Sequence, residues 1–386
     1  MHCSIPRFLP FALCGGVLLC LMAMAQQKPA EPVKSDPAKA DPGKTEPAKQ
    51  AAPPAPQAGK KPDEGIQTFK SEVQEVMLAV TVREPKTGRF ISNLTASDFR
   101  VLDEGRPQRI TVFNHAEKQP IVVGFLVDQS SDVRIHWDKF KEAVKELIWT
   151  LIPGDPKYSG YLIQYTTKAE LLVNTTTDSD KLAEKVDKMK PSVGAALFDA
   201  IYRACTDRTL VKGEPYEPRR IIIIVGDGRD NASEKSLGEV LELAKRNQVT
   251  IYAMSTQNFG FDNPDADVLQ RLADETGGHV EYPLDKLYKD VSGYLSQPSD
   301  DGNYALTVGT GGYASEIMSG IVRSVSGLVG EITTQYVIRY TPDIDPKTAG
   351  RDFRRIRVDI PGLPGIHPIT RDGYYPNPVR TAAPVQ

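Results

Sequence analysis

The sequence predicts an α/β protein: a doubly wound, mostly parallel sheet with a second, small all-β domain formed by both ends of the chain. Three observations carry this. Two apolar runs, IVVGFLVD (121–128) and IIIIVGD (221–227), each stop abruptly at an aspartate. That is the pattern of strands buried on both faces and opening at their C-terminal ends. From about 119 to 283, strand and helix patterns alternate, as expected for a parallel sheet covered on both faces. Short strand patterns precede this region and follow residue 333, so the two ends are natural partners.

Taken in order, the chain starts with Arg7, an apolar run over 8–24 and Ala23-Met24-Ala25. These fit a secretory signal peptide over residues 1–25, hence export, with no stable membrane span after cleavage. An uncleaved anchor is the alternative, although the run is short for a span. Of the four cysteines, Cys3, Cys14 and Cys20 lie in this leader, and Cys205 alone cannot form an internal disulfide. Residues 26–63 form a Pro/Ala/Lys-rich linker. Glu31-Pro32, Asp36-Pro37, Asp41-Pro42 and Glu46-Pro47 recur at five-residue intervals, each with a lysine two residues beyond. So much proline and so little apolar surface give an extended tract, either a spacer or a tail without a fixed role.

Residues 64–118 are the N-terminal part of the β domain. Val76, Leu78, Val80 and Val82 alternate with Met77, Ala79 and Thr81. Phe90 and Ile91 follow the turn Lys86-Thr87-Gly88, and strands follow near 98–102 and 110–113 around the turn Asp103-Glu104-Gly105. About four strands make a thin core, which requires a partner sheet. Residues 119–293 hold the α/β domain, with helices expected around 137–151, 180–189, 195–208, 237–245 and 268–273. The span 294–332 reads as a Gly/Ser/Asp-rich loop (296–313) and a return helix carrying Ile317, Ile321, Val325, Leu328 and Ile332. Strands at 335–340 and 355–360 and the RDGYY segment complete the β domain over 333–376, before a tail at 377–386.

The functional signal lies where the two apolar runs end. Asp128, Ser130, Asp132 and Asp227 converge on one rim, the edge where open α/β sheets bind ligands. FLVDQSSD, GAALFDAIY (194–202), IIIIVGDGRDN and LADETGGHVEY (272–282), in that order, resemble the von Willebrand factor A domain over about 120–283. The flanks LTASDFRVLDEGRPQRITVF (94–113), QYVIRYTP and RDGYY are similar to exported bacterial proteins related to that family. The resemblance implies a metal-ion-dependent adhesion site, usually holding magnesium, that binds a protein ligand, and a periplasmic or extracellular place in a bacterial envelope. Asp128, Ser130 and Asp227 match its ligand positions. Asp132 stands where the family has a serine. Ala195 stands where it has a threonine and carries no side-chain oxygen. The extra carboxylate would favour Ca²⁺ over Mg²⁺. Read from the residues alone, Asp132, Ser130 or Ser131 could instead N-cap the next helix, with Asp128 and Asp227 accepting backbone N–H groups.

The expected function is therefore an exported protein-interaction or adhesion module, with or without a divalent cation, and not an enzyme. A structural envelope scaffold with a vestigial site is the alternative. A metal-assisted hydrolase would need a base, and no obvious one appears in these loops. G-x-S-x-G, H-E-x-x-H, P-loop and C-x-x-C patterns are missing, and a net charge of −3 speaks against nucleic acid. Asp199, Asp230, Asn231 and His279 read as structural, Cys205 as a small buried hydrophobe, Trp149 as core, and Trp137 as partly exposed near the rim.

Overall fold

The structure, a computed structural model, describes residues 75–130, 136–210, 218–257, 266–284, 311–343 and 352–376. Residues 1–63 and 377–386, Asp132 and most of 296–313, on which the signal-peptide, linker, tail and loop expectations fall, lie outside them.

Six strands form the main sheet: β5 (Ile121–Asp128), β6 (Tyr158–Tyr165), β7 (Ala169–Thr176), β8 (Arg219–Gly226), β9 (Val249–Ser255) and β10 (Val280–Glu281). Their order is β10-β9-β8-β5-β6-β7, and all neighbours are parallel except β6 and β7. Every residue of β5 is buried, as its unbroken apolar sequence requires of a central strand. Helices α1 (Trp137–Leu151) and α2 (Ser179–Lys188) cover one face, together with the helix Gly311–Thr334, α6 here. Helices α3 (Leu197–Thr206), α4 (Leu237–Arg246) and α5 (Ala266–Thr276) cover the other. The sheet is thus doubly wound. Helix α6 starts inside the segment that reads as a loop.

Strands from both chain ends build the all-β part. β1 (Val76–Val80) and β4 (Ile110–His115) flank β11 (Tyr336–Tyr340) in one antiparallel sheet. β12 (Arg354–Asp359) pairs with β2 (Arg100–Asp103) and β13 (Gly373–Tyr374), and β2 pairs with β3 (Arg106–Gln108). Val76, Leu78, Val80, Val101, Ile338 and Val358 share one core. Asp103 is buried within it and accepts hydrogen bonds from Tyr340 (3.0 Å), Tyr374 (2.9 Å) and Arg354. The N-terminal strands are thus divided between two sheets, each completed by strands from the C-terminal end. Phe90 makes only an isolated bridge, to Arg83. The fourth strand is β3, which follows a turn with Glu104 and Gly105 both at positive φ, as a two-residue hairpin loop requires.

The β part joins the edge of the main sheet where β8 and β9 begin. Arg219 donates to Gln335 (2.6 Å) and to the Ile332 carbonyl (2.9 Å), and Gln335 in turn donates to Thr81 and Tyr252. Arg83 pairs with the fully buried Glu331 at 2.5 Å. Met77 is buried as well as Val76 and Leu78, because both faces of β1 are covered.

Candidate functional site at the strand ends

At the opposite edge, parallel register sets Asp128 of β5 beside Tyr165 of β6. Gly226 of β8 lies against Asp128 and pairs with Ser255 of β9. A Cβ at 226 would collide with the Tyr165 hydroxyl, so glycine there lets the phenol reach across the row. Asp128 is wholly buried. Its Oδ1 accepts the Ser130 N–H at 2.7 Å, while Oδ2 has no hydrogen-bond partner. Burial pushes its carboxyl up to about 7; the Ser130 N–H opposes this, the nearby Asp227 charge adds to it, and the Ser130 hydroxyl and Asp227 N–H, close but outside hydrogen-bond geometry, oppose it weakly. The Ser130 hydroxyl, also buried, has no partner. Asp227 accepts the Arg229 N–H at 3.0 Å and lies 3.6 Å from the Arg229 guanidinium.

Asp128, Ser130 and Asp227 therefore come together, and Asp132 lies outside the described residues. Ala195 is buried and brings no side-chain oxygen. Its N–H donates to Asn231 Oδ1 (2.9 Å), and its carbonyl accepts from the Asn231 and Ala232 N–H groups. Asp230 accepts from the Phe198 N–H (2.8 Å) and the Ser233 hydroxyl. It thereby serves the first turn of α3, whose N-cap, Ala196, has no side chain able to do so. Asp199 accepts the Glu234 and Lys235 N–H groups.

Ser130 does not cap α1, which starts at Trp137 with His136 in the cap position and no side-chain capping bond; Ser131 and Asp132, the other capping candidates, lie outside the described residues. The two tryptophans are reversed from expectation. Trp137 is buried in the core, whereas Trp149 is 43% exposed and donates to Asp180 at 3.1 Å. Twelve residues apart on a helix of 3.6 per turn, they face directions about 120° apart, and the apolar stripe follows Trp137. Cys205 is half-buried, and burial pushes its thiol up to about 12, as for an unreactive cysteine.

Several residues at this edge carry no motif-level signature. The Tyr165 and Thr256 hydroxyls are buried without partners. Their position at the ends of β6 and β9 is the signal that could have found them. Arg229 supplies a cation inside the GDGRDN run. His136, buried at the start of α1, has its pKa lowered by burial and then by Lys139. It is an imidazole in a loop that reads as lacking a base.

The free oxygens suit a hard cation. Asp128 Oδ2 and Ser130 Oγ are available beside the Asp227 carboxylate, and water can complete such a shell. The family threonine's oxygen is missing at Ala195, and among the described residues no group of three His, Cys, Asp or Glu forms a metal cluster.

Fold and rim define an α/β module whose candidate site lies at the strand ends. Residues 123–288 match the von Willebrand factor type A domain. These residues, under half of the chain, carry the likeness to that domain. Mouse Matrilin-1 is 26% identical over 173 residues, covering 42% of this chain and 33% of that protein. The chain therefore spans about a third of the length of the curated relative it matches. Among solved structures, an aerotolerance-related membrane protein from Bacteroides fragilis is 16% identical, covering 45% of this chain and 97% of that one, with TM-score 0.35. BatB from Bacteroides thetaiotaomicron is 16% identical over 53% of this chain and all of that one, with TM-score 0.33. Proximal thread matrix protein 1 from the mussel byssus, with a zinc-occupied MIDAS motif, is 19% identical over 47% of this chain and 46% of that one, with TM-score 0.37.

Proposed function

We propose that the chain is an exported interaction module that binds a protein ligand at the C-terminal rim of its six-stranded sheet and is not an enzyme. The observation that carries this reading is the wholly buried Asp128 carboxylate, with one oxygen unpartnered, beside the unpartnered Ser130 hydroxyl and the Asp227 carboxylate. A buried carboxylate with only one oxygen hydrogen-bonded and no counter-charge on it is costly. Such a cost is kept where something outside the chain completes the site.

Asp128, Ser130 and Asp227, with Asp132 as a further carboxylate, would hold Mg²⁺ or Ca²⁺. When bound, the cation supplies a positive charge to which a ligand carboxylate can attach. Arg229 adds a second positive group for the same ligand, and the exposed Val193 nearby offers it an apolar contact. The leader would export the module, and the Pro-rich tract would space it from its attachment.

Calorimetric titration of Mg²⁺, Ca²⁺ and Mn²⁺ into the protein tests the cation directly. Binding is expected in the wild type and not in Asp128→Ala/Asp227→Ala; a flat titration with all three retires the cation. Ala195, in place of the threonine, favours one second reading, an envelope scaffold with a vestigial site. It is distinguished by ligand capture that neither a chelator nor the double substitution changes.

A further inference from the structure

Helix α6 turns one side to the core, where Ile317, Ile321, Leu328 and Ile332 are buried. Its outer side carries little charge. The charged residues over Gly311–Thr334 are Glu316, Arg323 and Glu331, and Glu331 is buried against Arg83. Helix α4, by contrast, has Glu239, Glu242, Lys245 and Arg246 within ten residues. A helix facing water ordinarily sets a charged face opposite its apolar one. On α6 that place is taken by Ser315, Met318, Val322 and Ser326, all exposed. Met318 is 41% and Val322 57% exposed. Apolar side chains exposed singly are common, but these two lie one turn apart and face the same way. Glu316 and Arg323 border the strip along one side, about two turns apart. That is too far for them to meet on one helix. Both are exposed, and neither has an ion pair among the described residues.

We infer that this strip is the interface of a two-fold dimer, in which a second copy of the chain lays its α6 antiparallel on the first. A two-fold contact is self-complementary: where residue i meets j, j meets i. With the axis level with Ser319 and Gly320, Met318 of each copy faces Val322 of the other, and Glu316 of each faces Arg323 of the other. Such an axis keeps like edges of the two helices together, so the apolar contacts and both ion pairs form at once. Small side chains at Ser315, Ser319 and Ser326 let the helices approach closely. The charges select the antiparallel arrangement, since in a parallel pair Glu316 would meet Glu316. The interface does not depend on what the rim binds.

The test is sedimentation velocity of the purified full chain over a concentration series. The wild type is expected to pass from monomer to dimer as concentration rises, as for a contact of modest area. Val322→Asp changes an exposed position, leaves the core alone and is expected to stay monomeric. Glu316→Arg and Arg323→Glu each set like charges opposite one another and should weaken association about tenfold or more. Mixing these two variants in equal amounts should restore dimers, because only the mixed pair has opposite charges at both contacts. A wild type that stays monomeric throughout, an unchanged dimer in Val322→Asp, or no recovery on mixing would overturn the inference.

Discussion

Where β8 begins, Arg219, Gln335, Thr81 and Tyr252 form a connected set in which each side chain has at least one hydrogen bond. Where β8 ends, the Ser130, Tyr165 and Thr256 hydroxyls have none, and one oxygen of Asp128 is bare. Both edges are polar and buried, but at the first the side chains are tied to one another across the chain, with Arg219 Nε left over. Networks completed internally fix how two parts of a molecule pack. Polar atoms left incomplete at a sheet rim are better suited to a ligand. The same protein thus carries a structural polar cluster and a functional one at opposite ends of the same strands.

The largest expected effect is at the first edge. Gln335→Ala removes the group that joins Arg219, Thr81 and Tyr252 and leaves all three short of a partner. Denaturant unfolding should show a loss of about 3 kcal/mol. An unchanged midpoint would show that this network is not what joins the two parts.

Asp128→Asn should act in the other direction. The folded carboxyl titrates near 7, against a usual value of 3.8. Between these values the folded protein keeps a proton that the unfolded chain has released, so ionising Asp128 lowers stability as pH rises from about 4 to 7. Without divalent cation, Asp128→Asn should therefore gain on the order of 2 kcal/mol at pH 8 and little at pH 4. A loss at pH 8 would mean that the carboxylate is structural.

His279 gives the smallest effect. Burial, and then the Arg83 charge, push its imidazole down to about 4, with Asp274 opposing. The folded pKa lies below the unfolded one, so stability is lost as pH falls from about 6.5 toward 4. His279→Gln should flatten that acid limb of the Tm profile by a degree or two; an unaltered limb would assign acid sensitivity elsewhere.

The first edge was the less legible of the two in the sequence. The strands delivering Asp128 and Asp227 were readable because burial on both faces leaves long apolar runs. Pairing of the chain ends followed from where strand patterns lie. Which segment supplies the fourth N-terminal strand was hidden, since Phe90 and Pro107 give no warning of which forms a bridge and which sits in a strand. Burial of Met77 was not legible, because alternation reports one covered face, not two. At the rim, carboxylates after an apolar run stand out in a sequence. Tyr165 and Thr256 do not, because a strand-end hydroxyl looks like any other. The tryptophans were misplaced because two residues on one helix need not share its apolar stripe.

The central claim is that the bare Asp128 oxygen is reserved for a cation. It is tested most directly by Tm at pH 8 with and without millimolar Ca²⁺ or Mg²⁺, in wild type and in Asp128→Asn. A cation-dependent rise in the wild type that is lost in Asp128→Asn is the expected result. An equal rise in both proteins, or none in either, would contradict the account.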